Sequence, residues 1–302
     1  MAGNTEQSMV GSAPEGRPVS ITFWHTARRV LQLWRTYAVL DLAFLAADAK
    51  LAAIYLGADL ITSVASVTGM LLLAERFGGI GPWSQRDVIF LLGYATLVGG
   101  LVNTFFGYNV AMISRRVGRG QLDHTLIQPQ PLLLSLLTEG FTPFSGSALL
   151  LPGTGLILWS LANLHLPLTA GWLAALAANI LASAATVLAF SFAWGSVAFW
   201  APRAAEEISS AATGFLDQLK PFPLDGVGSL LLGALVTIMP VGFVAWFPAR
   251  ALLGLDPAPW SMWLTPAAAL VFCLFAAFCF RKGIQHYVRT GSQRYSDFGH
   301  RR

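Results

Sequence analysis

Residues 171–198, GWLAALAANILASAATVLAFSFAWGSVA, contain no charged side chain. As an α-helix, this stretch is longer than the roughly 20 residues needed to cross the hydrocarbon core of a bilayer. The rest of the chain is similar, since 55% of its 302 residues are hydrophobic and only 11% are charged. Soluble domains carry about 25% charged residues, and disordered chains are more polar still. The sequence therefore predicts an all-α integral membrane protein that crosses the bilayer several times.

Six stretches are long and apolar enough to form transmembrane helices. They lie at about 51–74, 88–112, 141–163, 171–198, 228–247 and 263–280. If both termini are cytoplasmic, all but Arg76, Arg86 and Arg250 of the 19 Lys and Arg residues fall on the inner side. Because Lys and Arg concentrate in cytoplasmic loops, this orientation in the cell inner (plasma) membrane is predicted. Segment 200–227 is too charged to span, which predicts an interfacial helix and a proline-rich turn on the inner side.

The regions before and after the spans have their own patterns. Residues 1–22 are polar and predict a disordered cytoplasmic tail. Residues 23–40 combine an apolar stripe with an arginine-bearing face, which predicts an interfacial helix on the membrane surface. An amphipathic helix packed on the protein is the alternative. The six-span domain then covers 23–282, and residues 283–302 form a second cytoplasmic tail whose basic residues would bind anionic lipids.

Polar side chains inside the predicted spans are candidates for a substrate pathway, because burying them in a bilayer is costly. Asp59 lies in the first span, Asn103 in the second and Asn179 in the fourth. A hydrogen bond between neighbouring helices explains each of them equally simply, and for the two asparagines it is the favoured interpretation.

Three glycines, Gly93, Gly100 and Gly107, recur every seven residues in the second span. A residue without a side chain lets another backbone approach closely. This spacing therefore predicts that the glycine face packs against a neighbouring helix.

Several classes of function are excluded by missing patterns. The chain has no GxxxxGK[ST] phosphate loop, so it cannot bind ATP in the manner of P-loop proteins. Its five histidines are scattered, and no metal site is predicted. No nucleophile–base arrangement falls on one membrane side, so no enzymatic activity is expected in this chain. The excess of basic residues follows membrane topology and does not indicate nucleic-acid binding.

The predicted inner loop at 114–131 is the most informative segment. Arginines follow the second span, glycines interrupt its helix, and prolines follow a short helical stretch at 121–127. Asp123 lies in the first turn of that stretch, where a carboxylate complements the helix dipole. Leu122 and Leu126 share one face at a spacing of four residues. A short helix with an apolar face at the membrane surface is typical of a docking element, although a tight arginine-rich loop is the simpler alternative.

The same loop carries a family resemblance. The run 118–129, GRGQLDHTLIQP, resembles the G-x-L-[ED]-x-x-L-x-x-P signature of ABC-2-type transporter permeases. Three further segments resemble the subgroup of these permeases that is often encoded as paired subunits. They are GIGPWS at 79–84, IMPVGFVAWFPA at 238–249 with LLG at 252–254, and GIQHY at 283–287 leading to TGS at 290–292. All four occur in the family's order between about residues 25 and 295, and Pro82 replaces a glycine often found in this loop.

The resemblance implies a six-span permease subunit of an ATP-binding cassette transporter. The 114–131 loop would carry the coupling helix that docks on a separate ATP-binding subunit. The matching residues are Arg119, Gly120, Gln121, Leu122, Asp123, Leu126 and Pro129. Two copies of that subunit would bind ATP and Mg²⁺, and a second permease, identical or related, would complete the pathway. The general activity of the family implies export of hydrophobic or amphipathic compounds such as drugs or lipids.

An ATP-independent membrane channel or scaffold protein is the second hypothesis. It would use the same 114–131 loop to bind a partner that is not an ATPase. Association with a P-loop subunit distinguishes the two hypotheses.

Overall fold

The computed structural model describes residues 23–77, 81–111, 113–166 and 168–291. Within these residues all regular structure is helical, as predicted. Most of the predicted tails, 1–22 and 283–302, lies outside the described residues. The α-helices, in chain order, are α1 (Phe23–Ala47), α2 (Ala49–Phe77), α3 (Gln85–Ala111), α4 (Ile113–Gly118), α5 (Leu122–Leu126), α6 (Leu132–Thr138), α7 (Leu150–Asn163), α8 (Ala170–Gly195), α9 (Pro202–Leu219), α10 (Ser229–Thr237), α11 (Phe247–Leu252) and α12 (Ser261–Thr290).

Helix α3 defines the two ends of the molecule. Its residues before the kink at Gly107 span roughly 33 Å at the usual helical rise. Trp83 precedes its first residue, and α4 and α5 follow its last. We call these two regions the Trp83 end and the α5 end.

Four helices within the described residues are long and apolar enough to cross a membrane. They contain Thr26–Ala47, Gln85–Gly107, Ala170–Phe199 and Ser261–Thr290, and a bent pair at 229–252 raises the number to five if it counts as one span. Helix α2 covers the predicted first span, 51–74. A multi-pass membrane protein is therefore confirmed, and the number of six spans stays a prediction.

Helix α1 packs on the protein for part of its length. It extends seven residues beyond the predicted end at residue 40. The ring of Trp34 stacks on Phe141 at 5.2 Å between centroids. The buried Asp41 carboxylate accepts hydrogen bonds from the backbone N–H groups of Phe144 and Ser145, at 2.8 and 3.1 Å. These contacts attach α1 to the connection that leads into α7, which agrees with the alternative of a helix packed on the protein.

The predicted glycine face of α3 is confirmed. A Cβ atom at Gly93 would lie 2.8 Å from the Leu156 side chain, and one at Gly100 would lie 2.8 Å from the Leu150 nitrogen. Gly107 has a φ of 50° and would meet the Gly140 carbonyl oxygen at 2.6 Å. The face therefore packs against α7 and the segment that precedes it.

The third predicted span, 141–163, is shorter than expected. Residues 140–146 form a connection, and helical structure begins only with the 3-10 turn Ser147–Leu149 that leads into α7. The Asp41 hydrogen bonds and the hydrogen bond from Thr104 Oγ1 to the Gly146 carbonyl, at 3.2 Å, hold this connection. Its backbone groups are thus satisfied outside a helix.

The fifth predicted span, 228–247, is not a single straight helix. Helix α10 and residues 242–252 are bent by 78° relative to each other. Asp225, just before α10, binds Arg250 in α11, so the pair begins and ends at the same end of the molecule. Residues 229–252 therefore form a hairpin that enters from the Trp83 end and returns to it.

Segment 200–227, which the sequence places on the inner side, contacts both ends of the molecule. Glu206, in the first turns of α9, pairs with Arg115 at the α5 end. Asp225, six residues after the end of α9, accepts a hydrogen bond from the indole of Trp83. The segment thus runs from one end of the molecule to the other. Hydropathy does not predict this course, because the charged residues lower the mean hydropathy of the segment.

Candidate coupling site

Helices α4 and α5 form a compact corner after α3. Gly120 turns the chain with a φ of 69°, a conformation that side chains with a Cβ atom disfavour. The Gln121 N–H donates to the Arg116 carbonyl at 3.0 Å, which closes the corner. The predicted short helix at 121–127 is present as α5, with Asp123 in its first turn.

The faces of α5 differ from the predicted apolar stripe. Leu122 is fully buried and packs with Ile113 and Leu136, whereas Leu126 is 38% exposed and Ile127 is 81% exposed. The exposed apolar surface of the corner is thus formed by Leu126 and Ile127. The polar residues Arg119 and Gln121 and the ring of Pro129 are exposed beside it, and Gly120 is buried.

A hydrogen bond joins α5 to the last helix. The Tyr287 hydroxyl donates to the Asp123 carboxylate at 2.6 Å, and the tyrosine ring is buried. That ring contacts Phe199 at 5.8 Å between centroids, and Phe199 in turn occupies the space beside Gly283. A carboxylate acceptor makes this one of the stronger kinds of side-chain hydrogen bond. The C-terminal turns of α12 therefore hold the first turn of α5.

Ion pairs join the same corner to α9 and to the end of α6. The Arg115 Nε atom lies 2.7 Å from Glu206 Oε1, and Arg119 lies 4.0 Å from the same oxygen. Arg116 pairs with Glu139, which follows α6. Most of these side chains are no more than partly exposed, so solvent screens these pairs less than typical surface pairs. The corner is therefore attached to three other parts of the fold.

A second polar cluster lies at the Trp83 end. The Asp225 carboxylate accepts hydrogen bonds from the indole nitrogens of Trp83 and Trp246, the latter at 2.6 Å, and pairs with Arg250. Arg250 also pairs with Asp256 at 2.9 Å. Two connections and the hairpin are joined at the Asp225 carboxylate, and Arg250 adds a third connection through Asp256.

The four motifs meet in pairs in the folded chain. Asp123 of the 118–129 motif binds Tyr287 of the 283–287 motif, and Trp83 and Trp246 of the other two motifs share Asp225. A family model described as ABC-2 family transporter protein matches residues 60–291. The chain belongs to the ABC-2 transporter family. The comparisons with curated proteins and with solved structures found no match.

Family membership confirms the resemblance and makes the chain a permease subunit of an ABC transporter. Permeases of this family are transmembrane subunits that associate with an ABC ATP-binding subunit, which agrees with the missing phosphate loop. Among the described residues of this permease, no group of three or more His, Cys, Asp or Glu side chains is arranged to hold a metal ion.

The candidate pathway residues of the permease have different surroundings where the structure describes their side chains. Asn179 is buried, and its Nδ2 donates to the carbonyls of Ala175 and Met262 at 2.9 and 3.0 Å. This residue joins α8 to the start of α12, as the interhelical interpretation predicted. Asn103 is exposed on α3, and the side chain of Asp59 on α2 lies outside the described part of the chain.

Three residues that organise the permease were not singled out for these roles by sequence. Glu206 and Asp225 belong to the segment 200–227, for which the sequence predicts only an interfacial helix and a turn, and Tyr287 belongs to the 283–287 motif. The tryptophans and Arg250 near Asp225 are far away in sequence, so local spacing carries no signal for this cluster. The family motifs were the only available indication for Tyr287.

Proposed function

We propose that this chain is the permease of an ABC exporter for hydrophobic or amphipathic compounds such as drugs or lipids. Two copies of a separate subunit would hydrolyse ATP with Mg²⁺, and a second permease, identical or related, would complete the transport pathway. One observation carries the proposal: the corner of α4 and α5 is attached to α9 and α12, and it exposes the apolar side chains of Leu126 and Ile127.

The attachments of α5 suit a part that transmits movement. A docking element on a flexible loop would absorb the motion of its partner. Here Arg115 and Arg119 hold α9 through Glu206, and Asp123 holds α12 through Tyr287. A displacement of the corner formed by α4 and α5 would therefore move two long helices together, which a two-state transport cycle requires.

Helix α9 supplies the best candidate for a polar pathway wall. Glu207, Ser210, Asp217 and Gln218 are exposed, and the 3.6-residue period places them within about 100° of the helix circumference. In contact with lipid, a charged side chain costs about 2.5–3.5 kcal/mol at the bilayer centre. We infer that α9 is a further crossing and that its polar face meets water or the second permease.

Orientation in the inner (plasma) membrane follows from the same proposal. Arg115, Arg116 and Arg119 lie at the α5 end. Basic residues and an ATPase docking site both belong on the cytoplasmic side. Since α1 lies close to the α6–α7 connection and α12 ends beside α5, both termini would be cytoplasmic.

The decisive experiment replaces the exposed apolar pair with Leu126→Asp and Ile127→Asp. The full-length permease is co-purified with the ATPase of its transporter, and association and vanadate-sensitive hydrolysis are measured. Burying one large aliphatic side chain contributes about 1.5–3 kcal/mol, so the affinity should fall at least about tenfold. Hydrolysis by the complex should fall with it.

The matched control, Leu126→Met with Ile127→Leu, keeps the apolar surface and should retain the ATPase. If the aspartate variant binds the ATPase as tightly as the wild type, α5 is not the docking element. A permease that purifies without any P-loop protein and shows no hydrolysis would favour the ATP-independent channel or scaffold.

A further inference from the structure

A groove runs along the surface between α6, α8 and α12. Its volume is about 670 Å³, within the roughly 300–1,000 Å³ typical of ligand sites. Its walls are apolar, with Leu132, Leu188, Phe192 and Ala277 among them. Among the described residues that line the groove, Arg281 is the only charged one.

The charged residue marks one boundary of the apolar part of α12. No charged side chain occurs from Ser261 to Phe280, and Arg281 follows directly. Gln285, one turn later, also lines the groove. Because α6 follows the coupling loop, this polar boundary lies towards the α5 end.

Arg281 carries a charge that the protein leaves available. No carboxylate in the described part of the chain pairs with it, and its side chain is exposed. A guanidinium presents a planar set of donors that suits a phosphate group. Its long aliphatic stem also lets the charge reach the headgroup region from an apolar surface.

We propose that the groove binds one anionic phospholipid of the leaflet at the α5 end. An acyl chain would lie against the apolar walls, and the phosphate would contact Arg281. Charge complementarity selects this occupant, since a neutral apolar molecule would leave the arginine unused. Basic residues beside transmembrane helices recognise anionic headgroups in the same manner.

A second groove provides a contrast on the same helices. It lies between α8, the end of α10 and α12, has a volume of about 540 Å³, and is lined by residues such as Trp194, Ile238 and Phe275. No charged residue lines it. The headgroup argument therefore applies to the first groove and not to the second.

Native mass spectrometry of the full-length permease tests the site. The protein is purified in mild detergent with equal amounts of dioleoyl phosphatidylglycerol and dioleoyl phosphatidylcholine. We expect one retained phosphatidylglycerol per chain in preference to phosphatidylcholine. Arg281→Gln should reduce this retention about fivefold, since one basic residue near a headgroup contributes about that factor.

Lys50→Gln is the charge control, because Lys50 is exposed on α2 and does not line the groove. It should leave retention unchanged. Ala277→Phe fills the groove without altering charge and should reduce retention of both lipids, which gives an independent test if the Arg281 variant is unstable. A phosphatidylglycerol with a photoreactive acyl chain should cross-link to peptides containing residues 273–285.

Equal retention by the wild type and Arg281→Gln would overturn the proposal, as would cross-links confined to other helices. Cys273 lines the groove and allows one more outcome to be recognised. In a Cys279→Ser background, an efficient disulfide between two copies at Cys273 would assign the groove to a permease–permease interface and also overturn the lipid site. None of these outcomes depends on ATP-driven transport, so the proposed function is tested separately.

Discussion

Single side chains determine how the two ends of this permease are held. Asp225 illustrates the point, because its carboxylate receives two indole N–H groups and an arginine while lying in a short connection. The tertiary structure brings those donors from two separate parts of the sequence, Trp83 and the hairpin that contains Trp246 and Arg250. The carboxylate is stabilised in a mostly buried position only while all of them are present.

Asp225→Asn should destabilise the permease strongly. Its amide nitrogen would face donors instead of accepting from them, and breaking a buried ion pair costs about 3–5 kcal/mol. We expect a melting temperature lowered by roughly 5–10 °C in detergent. Asp217→Asn is the control, since Asp217 is 59% exposed in its pair with Lys220 and should change the melting temperature little. Equal melting temperatures for the wild type and Asp225→Asn would contradict this account.

At the scale of elements, α3 and α7 show how close two helices can lie in this fold. Glycines on both helices make the approach possible. Gly153 on α7 faces the backbone of Leu97, and a Cβ atom there would lie 2.6 Å from the Leu97 nitrogen. Gly155, two residues later, has open space around it.

These two glycines give a matched pair of substitutions. Gly153→Ala should lower the free energy of unfolding by about 1–3 kcal/mol, because the new methyl group meets rigid backbone. Gly155→Ala should leave it unchanged or raise it by up to about 1 kcal/mol, since alanine favours the helix. Thermal unfolding followed by fluorescence-detected size-exclusion chromatography compares the two. If Gly153→Ala destabilised the permease less than Gly155→Ala does, α3 and α7 would not lie as close together as described.

At the scale of the whole molecule, the courses of α9 and of the hairpin at 229–252 are the reverse of what hydropathy predicts. The apolar segment returns to the end where it began, and the polar segment runs between the ends. Both follow from the positions of Glu206 and Asp225. Helix α9 can cross the membrane at a low free-energy cost only if its polar face does not contact lipid.

Cysteine labelling tests this topology. In a chain carrying Cys273→Ser and Cys279→Ser, a membrane-impermeant maleimide added outside the cell should label Gly228→Cys but not Gln121→Cys. Inside-out vesicles should give the reverse pattern. Trp260→Cys, in the exposed turn before α12, is the control for the outer side. Labelling of residues 121 and 228 from the same side would contradict the crossing of α9.

Local patterns were sufficient for much of this permease. Runs of apolar residues predicted α3, α8 and α12, because helix length and hydropathy are properties of consecutive residues. The seven-residue glycine repeat predicted the face of α3 that packs against α7. Glycines and prolines likewise predicted the short helix α5.

Tertiary structure alone decided the remaining features. Helical spacing placed Leu122 and Leu126 on one face, but only the packing of Ile113 and Leu136 shows that Leu122 points inward. Hydropathy could not identify α9 as a connection between the two ends, because a helix whose polar side is covered by other parts of the assembly need not be apolar. The sequence by itself determined where the helices form and to which family they belong. Which helices run between the two ends, and which side chains hold α5, depended on contacts between residues such as Asp123 and Tyr287 that lie 164 positions apart.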